Sequence, residues 1–220
     1  MKNENIYQEG YLFERAEKNN VLKSKPSGTL KKIFDDPNIK RILFAGCGLG
    51  HMMFYKKEKS YGIDISKKNI EFIKNLGFPK ERLIIGDIRK LPYPNEYFDL
   101  IIASEVIEHF NPNDFYKVVK EFNRVLKKGG YLYIKTPHPK NPRFWQDVTH
   151  WRPYDLKGLI DLYKTLGYDI IEYGISRAIN RMYFSKGFEK KIWIIINQIL
   201  NKTFPWILSY NKIYLIVKKQ

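Results

Sequence analysis

Short apolar runs alternate with amphipathic segments along most of the chain. Seven of these runs are predicted as strands, at residues 42–45, 60–65, 82–88, 97–104, 131–136, 168–172 and 212–217. Between them, apolar residues at helical spacing predict helices at about 50–59, 66–77, 111–126 and 153–167. Strands that alternate with helices in this way are typical of a parallel sheet with helices on both faces. The pattern therefore predicts an α/β fold with a doubly wound sheet.

The same pattern divides the chain into two parts. Residues 1–39 are predicted as an N-terminal helical cover, and residues 40–220 as the main domain with a basic, apolar insertion at about 177–210. Within the insertion, residues 190–200 combine lysine, tryptophan and isoleucine. An amphipathic helix on a membrane surface has this composition, and so does a helix that packs on the domain or forms a dimer contact. These alternatives stay open at this point.

The charge of the chain favours anionic partners. It has 39 Lys+Arg against 23 Asp+Glu, a formal net charge of +16. A positive net charge of this size attracts nucleic acid, an anionic membrane surface or a phosphorylated substrate. The positive charge is spread along the chain without a dense block, so solvated surface lysines explain it equally well, and nucleic acid is the less favoured partner.

The sequence predicts a cytoplasmic location, with peripheral attachment to a membrane as an addition. No signal peptide is recognised in the first ten residues, and no segment has the roughly 20 apolar residues that span a bilayer. The one cysteine, Cys47, excludes a disulfide framework and fits a reducing compartment. Because no base stands near it in sequence, we interpret Cys47 as a small apolar filler and not as a nucleophile.

A glycine-rich loop follows the first predicted strand. Glycine stands at positions 46, 48 and 50, and Asp64 lies at the end of the second predicted strand. Glycines let the backbone turn tightly and approach a bound molecule closely. A carboxylate at the tip of the neighbouring strand can accept hydrogen bonds from the two hydroxyls of a ribose. The spacing G-x-G-x-G differs from the dinucleotide fingerprint G-x-G-x-x-G, so the pattern predicts a nucleoside crevice of another kind.

Later motifs give this crevice a family resemblance. Gly86-Asp87-Ile88, the run 98–101 and the run 126–130 follow the glycine loop and Asp64 in order. Over residues 40–136 the chain resembles the class I S-adenosylmethionine-dependent methyltransferases of types 11 and 12, including quinone-pathway and polysaccharide-associated O-methyltransferases. The resemblance implies a Rossmann-like, seven-stranded sheet that is mostly parallel with an antiparallel last strand, and it implies S-adenosylmethionine as the cofactor.

The resemblance also implies which residues contact the cofactor. In the family the glycine loop lies along the amino-acid portion and the sugar, Asp64 takes the ribose hydroxyls, and Asp87 takes the adenine amino group. The full implied set is Ala45, Gly46, Gly48, Gly50, Asp64, Ile65, Asp87, Ile88 and Ser104. One position departs from the family, because Phe44 stands where an acidic residue usually helps to position the methionine moiety. This departure puts the strength of cofactor binding in question.

A second constellation follows the fourth predicted strand. In Glu105-Val106-Ile107-Glu108-His109, a helical turn would bring Glu105, Glu108 and His109 to one face. Two carboxylates and an imidazole can bind a divalent cation such as Mg²⁺. The string resembles the magnesium motif of small-RNA 2′-O-methyltransferases, in which a further histidine completes the site, and His150 is the best placed candidate here. The alternative is that His109 acts as a general base or only lines the pocket.

The favoured function is O-methylation of a small or glycan-type acceptor, with a lipid-linked one suggested by the apolar insertion. An oxygen nucleophile must lose its proton, and His109 or His150 are the predicted catalytic residues because histidine titrates near neutrality. His150, Trp151 and Arg152 are candidates to stack on a sugar or an aromatic ring, or to anchor their loop. Two alternatives remain: RNA 2′-O-methylation with a metal site, and a methyltransferase-like binding protein without catalysis.

Overall fold

The computed structural model describes residues 18–141, 144–178, 192–196, 198–200 and 209–220. Its centre is a seven-stranded sheet in the order β3-β2-β1-β4-β5-β7-β6. The first five strands run parallel, whereas β7 pairs antiparallel with both β5 and β6. The strands are β1 Ile42–Ala45, β2 Ser60–Asp64, β3 Leu83–Ile85, β4 Phe98–Ser104, β5 Leu126–Pro137, β6 Tyr168–Ala178 and β7 Ser209–Lys219. The predicted fold class is confirmed.

Helices cover both faces of this sheet. They are α1 Lys18–Leu22, α2 Gly28–Asp35, α3 Lys67–Asn75, α4 Pro112–Val125 and α5 Leu156–Thr165, with short 3₁₀ helices at Met53–Lys56, Lys80–Arg82, Ile107–His109 and Phe144–Gln146. Alternate residues of the inner strands enter separate cores. Leu43 and Ile101 pack with residues of α4 and α5, whereas Phe44 and Ile102 pack with residues of α2 and α3. Burial on both faces explains why the strands read as continuous apolar runs.

Side chains cap the starts of three helices. The hydroxyl of Ser66 accepts from the amide of Asn69, and the side chain of Asn111 accepts from the amide of Asp114, as the sequence predicts. The helix predicted to begin at Pro153 begins at Leu156 instead, because the carboxylate of Asp155 accepts from the first free amides.

Two further predicted boundaries are wrong for local reasons. The helix predicted at 50–59 is only the 3₁₀ turn Met53–Lys56, since Met52 has a left-handed φ of 67° at its start. Strand β5 begins at Leu126, five residues earlier than predicted, because Leu126 already has extended backbone angles and pairs with Phe98. Gly129, with a φ of 74°, lies where the register between β4 and β5 shifts.

Parts of the predicted cover and insertion lie outside the described residues. Of the cover at 1–39, residues 1–17 are outside, and α1 and α2 are helical as predicted. Of the insertion at about 177–210, its two ends belong to β6 and β7, which pair up to Ala178 and Ser209. Residues 192–196 and 198–200 are helical, and the rest of the insertion is not described. Within the described segments, no helix has the length and apolar character needed to cross a membrane.

The carboxylate of Asp99 joins β4 to the start of β1. One oxygen accepts from the amides of Lys40 and Arg41 at 2.9 and 2.8 Å, and the other accepts from the Lys127 ammonium at 2.6 Å. Burial opposes the charged form, but the Lys127 ammonium and the two amides outweigh it, so the pKa of Asp99 is lowered. The carboxylate therefore stabilises the fold above the unfolded pKa, and this contribution is lost as the pH falls through the folded pKa.

We predict that Asp99→Ala lowers the free energy of unfolding by about 2–3 kcal/mol, because two partly buried hydrogen bonds from amides and one from an ammonium lose their acceptor. Asp161→Ala is the matched control, since it removes an exposed i,i+4 partner of Lys157 and should cost less than about 0.5 kcal/mol. Urea denaturation measures both. Equal losses for the two variants would contradict the role given to Asp99.

Candidate active site

A large cavity runs along the carboxyl edge of the parallel strands. Its volume is about 1720 Å³, which exceeds the roughly 300–1,000 Å³ of an ordinary small-molecule pocket. It lies where the strand order reverses between β1 and β4, the place at which open α/β sheets bind ligands. The glycine loop forms one part of its wall, and the Glu108, His109 and His150 side chains form another. The cavity therefore has room for two reactants side by side.

Three glycines of the loop have left-handed φ angles, 70° at Gly46, 52° at Gly48 and 81° at Gly50. A Cβ on Gly46 would lie 2.5 Å from Cγ2 of Val106, whereas a Cβ on Gly48 would meet no atom within 4 Å. Gly46 is thus required by close packing against the segment after β4. Gly48 instead borders the cavity, where a ligand can approach the bare backbone.

Asp64 is buried at the end of β2 and holds the loop in place. Its Oδ2 accepts from the amide of Gly48 at 2.7 Å, and its Oδ1 accepts from the amide of Ser66 at 2.9 Å and from Nδ2 of Asn69 at 3.2 Å. Burial raises the pKa of Asp64, and these three donors counteract that rise. The carboxylate lines the cavity beside Gly48.

Asp87 lies farther along the same wall and carries a partner that the sequence did not indicate. Its Oδ2 accepts from Nε of Arg89 at 2.7 Å and from Nη2 at 2.5 Å, and its Oδ1 accepts from the Arg89 amide. Nη1 of Arg89 reaches Asp114 in the first turn of α4 at 2.8 Å. Asp87 is therefore fixed by a bridge to α4, with Oδ1 accepting one amide only.

His109 and His150 come together from distant parts of the chain, with ring centroids 4.8 Å apart. Nδ1 of His109 lies 2.9 Å from Oγ1 of Thr149 and 3.3 Å from the carbonyl of Thr149, while the Thr149 hydroxyl donates to Asp147 at 2.5 Å. Because a carbonyl only accepts, Nδ1 carries the proton and the lone pair is on Nε2. Burial, together with the charge of His150, lowers the pKa of His109 to about 4.

His150 is oriented in a similar way. Its Nδ1 donates to the carbonyl of Phe144 at 2.8 Å, and its Nε2 lies 3.7 Å from Oδ2 of Asp147. The ring also packs on Phe144, with centroids 4.5 Å apart. Both histidines therefore have their Nδ1 atoms bound to main-chain carbonyls, so each lone pair is on Nε2.

Glu108 joins the two histidines, whereas Glu105 does not. Ligand atoms of Glu108, His109 and His150 all lie within 4.8 Å of one another. Glu108 is fully buried, its Oε2 accepts from the Thr136 hydroxyl at 2.9 Å, and its Oε1 has no hydrogen-bond partner among the described residues. Burial, with the nearby charge of Glu105, raises the pKa of Glu108 to about 8. The Glu105 carboxylate instead lies 3.0 Å from the Lys212 ammonium.

The remaining predicted cofactor residues fall into two groups. Ile65, Ile88 and Ser104 line the cavity between Asp64 and Glu105. Ala45 is buried in the sheet, with 1% of its surface exposed, and Gly50 is buried against the side chain of Ile73. Cys47 lines the cavity, and burial raises the pKa of its thiol well above the usual range, which fits a filler.

Arg89, Thr149, Lys135 and Lys212 are site residues that the sequence analysis did not single out. Arg89, Lys135 and Lys212 line the cavity. Thr149 does not line it, but its Oγ1 lies 2.9 Å from Nδ1 of His109. A signal existed only for Lys135, which follows an apolar run near the end of a predicted strand, and for Lys212, which precedes one at the start of a predicted strand.

The strand order 3-2-1-4-5-7-6, with one antiparallel strand and a glycine-loop crevice at the switch point, defines the class I methyltransferase fold. A solved S-adenosylmethionine-dependent methyltransferase from Archaeoglobus fulgidus superposes on the chain with a TM-score of 0.67 at 21% identity, covering 97% of this chain and 98% of that one. At this identity the likeness shows the fold alone.

Sequence comparison finds similarity to methyltransferases. Residues 43–134 match the family described as a methyltransferase domain. Uncharacterized methyltransferase YcgJ of Bacillus subtilis is 28% identical over 158 residues, which are 68% of this chain and 58% of that protein. Ubiquinone biosynthesis O-methyltransferase of Pelagibacter ubique is 38% identical over 107 residues, 45% of this chain and 42% of that protein. The chain spans about half the length of these curated relatives. Over residues 43–134 the chain is thus similar to a methyltransferase domain.

We predict that Gly46→Ala destabilises the protein by about 2–5 kcal/mol, because a left-handed φ and a collision with Val106 add together. Gly48→Ala is the matched control: it has the same backbone strain without the collision and should lose about 1–2 kcal/mol. Thermal and urea unfolding measure the difference. The explanation fails if the two variants are equally stable.

Proposed function

We propose that the chain is an S-adenosylmethionine-dependent methyltransferase that methylates an oxygen of a small or glycan-type acceptor, including a lipid-linked one. The observation that carries this proposal is the continuous cavity. Its lining includes the glycine loop, Asp64 and Asp87, and it also includes two histidines with their lone pairs on Nε2. One enclosure thus offers residues suited to a nucleoside donor and residues suited to an oxygen acceptor.

The residues around the glycine loop fit the cofactor. Gly48 leaves open space at the cavity wall, and the Asp64 and Asp87 carboxylates offer acceptors for ribose hydroxyls and an adenine amino group. Ile65 and Ile88 would pack beside the nucleoside. When bound, S-adenosylmethionine supplies an electrophilic methyl group, so the protein's own work is to align the acceptor and to remove its proton.

His109 is the proposed proton acceptor. Its low pKa keeps the ring neutral throughout the physiological range, so Nε2 is ready to take a proton from an acceptor hydroxyl. The Thr149 hydroxyl and the Asp147 carboxylate behind Nδ1 fix the tautomer and stabilise the cation that forms, as an orienting carboxylate does in hydrolytic triads. His150 lies beside it and would contact the acceptor.

The rim of the cavity supports a ring-shaped or apolar acceptor. Trp151 lines the cavity with 55% of its surface exposed, and Trp145 is 67% exposed in the same loop. An exposed indole offers a flat face for a sugar or an aromatic ring. The guanidinium of the neighbouring Arg152 lies over the ring of Tyr154 at 5.0 Å.

We predict a distinctive pH profile for methyl transfer. With the pKa of His109 lowered to about 4, the rate should stay level down to about pH 5 and fall only as the ring is protonated near pH 4. A fall in the rate centred near the ordinary histidine pKa of about 6.5 would contradict the assignment of His109. The acceptor for this assay comes from a methyl-transfer screen of sugar nucleotides, polyprenyl-linked glycans, catechols and short RNAs.

The same assay tests the residue directly. His109→Gln should lower kcat by about 10²- to 10⁴-fold, the usual contribution of a general base. Thr149→Val is the graded control, because it keeps the imidazole and removes only the hydroxyl behind it, so its loss should be smaller. A wild-type kcat in His109→Gln would exclude the proposed role. Absence of S-adenosylmethionine binding in calorimetry would favour the alternative of a binding protein without catalysis.

A divalent cation at Glu108, His109 and His150 is a second candidate, and with it RNA 2′-O-methylation as the alternative reaction. The grouping within 4.8 Å and the unpartnered Oε1 of buried Glu108 favour such a site. We predict that Mg²⁺ or Mn²⁺ binding in calorimetry is abolished in Glu108→Gln and retained in Glu105→Gln, whose side chain lies outside the group. A wild-type protein that binds neither ion, or equal loss in both variants, would remove the site.

A further inference from the structure

Phe44 leaves the amino-acid end of the cofactor without its usual acidic partner. The Phe44 side chain is 3% exposed, packs on the ring of Phe34 at 6.1 Å between centroids, and forms part of the cavity wall. A phenyl ring cannot accept a hydrogen bond from an ammonium group in the way that a carboxylate does. Another part of this wall must recognise that end of the molecule if the cofactor is held along its whole length.

The strand register identifies residues of β4 and β5 that lie on the same face of the sheet as Phe44. Phe44 pairs with Ile102 of β4, and Ile102 pairs with Tyr133 of β5. Paired residues of parallel strands point to the same face, and so do residues two positions farther on. Ser104 and Lys135 therefore lie on the face of Phe44, one step closer to the carboxyl edge, and they pair with each other.

Lys135 brings a positive charge into the cavity. Its side chain lines the wall, and no hydrogen bond or ion pair of its ammonium group is present in the described part of the chain. Burial, with the charge of Lys212, lowers the pKa of Lys135, while Glu105 and Glu108 raise it. Burial and the Lys135 charge also lower the pKa of His51, in the loop after Gly50, and both residues line the cavity.

Glu105 supplies the opposite charge beside it. Its Oε2 lies 3.0 Å from the Lys212 ammonium, and its Oε1 is buried without a hydrogen-bond partner among the described residues. The backbone of Glu105 has a left-handed φ of 57°, and its amide donates to the carbonyl of Lys135 at 2.7 Å. A non-glycine residue held in this region costs free energy, and such strain is found where a side chain must be aimed.

We propose that Lys135 and Glu105 together bind the zwitterionic amino-acid end of S-adenosylmethionine, and that they take over the role of the acidic residue absent at Phe44. Lys135 donates to the carboxylate of the ligand, and Oε1 of Glu105 accepts from its ammonium. The proposal rests on the proposed function. It assigns Glu105 to the cofactor side of the cavity and leaves Glu108 with the two histidines.

Glu108 is a poorer partner for an ammonium group. It is fully buried, and one of its oxygens already accepts a hydrogen bond from the Thr136 hydroxyl. Glu105 has a partly exposed side chain and a lysine that holds its second oxygen. The Glu105–Lys212 pair and the nearby Lys135 thus present alternating charges, which complement a zwitterion better than a simple anion or cation.

Calorimetry with two nucleoside ligands tests the assignment without any acceptor. S-adenosylhomocysteine carries the amino-acid end, whereas 5′-methylthioadenosine lacks it. Lys135→Met and Glu105→Gln should each weaken the binding of S-adenosylhomocysteine by about 10- to 100-fold, as expected for a lost charge-assisted hydrogen bond. Both variants should bind 5′-methylthioadenosine with the wild-type Kd. Lys157→Met, an exposed lysine on α5 paired with Asp161, is the control for a general loss of positive charge.

The outcomes separate this proposal from the proposed function. If a variant binds both ligands more weakly by the same factor, or binds S-adenosylhomocysteine as tightly as the wild type, the assignment of Lys135 and Glu105 is overturned. If the wild-type protein binds neither ligand, the nucleoside crevice and the proposed function fail instead. Thermal unfolding of each variant establishes that it is folded, and unchanged 5′-methylthioadenosine binding establishes that its crevice is intact.

Discussion

The carboxylate of Asp64 is the interaction on which the crevice depends. It receives the amide of Gly48 on one oxygen, and the Ser66 amide and the Asn69 side chain on the other. Through these bonds a single side chain ties the loop after β1 to the start of α3. Burial works against its charge, and the donors counteract that cost. The glycine loop in the cavity wall is therefore held in place by one buried carboxylate.

The fold was predictable because its signal is periodic and local. Buried strands on both faces read as apolar runs, and helix caps such as Ser66 and Asn111 are visible in the sequence itself. Boundaries were missed where a single residue changes the backbone conformation. The left-handed Met52 shortens the helix after the glycine loop, and the extended Leu126 starts β5 directly after α4. Met52 gives no signal of its left-handed φ, since it is neither glycine nor asparagine.

The site was predictable as a set of positions but not as a set of partners. The glycine loop, Asp64, Asp87 and the two histidines were all found from motif spacing, and most of them line one cavity. Their partners come from far along the chain: Thr149 stands 40 residues from His109, and Asp114 stands 25 from Arg89. Glu105 shows the limit most clearly. Helical spacing placed it with Glu108 and His109, but its left-handed backbone turns the side chain toward Lys212 instead.

One main-chain bond near the histidines has a wider effect. The amide of Trp151 donates to the carbonyl of Glu108 at 2.8 Å, so the segment that follows β4 and the loop that carries His150 are fastened together by backbone. The spacing of the two imidazoles is then a property of the polypeptide and does not depend on what occupies the cavity. An acceptor would meet a pre-formed pair of rings, and selection among acceptors would follow from shape and reach more than from rearrangement of the protein.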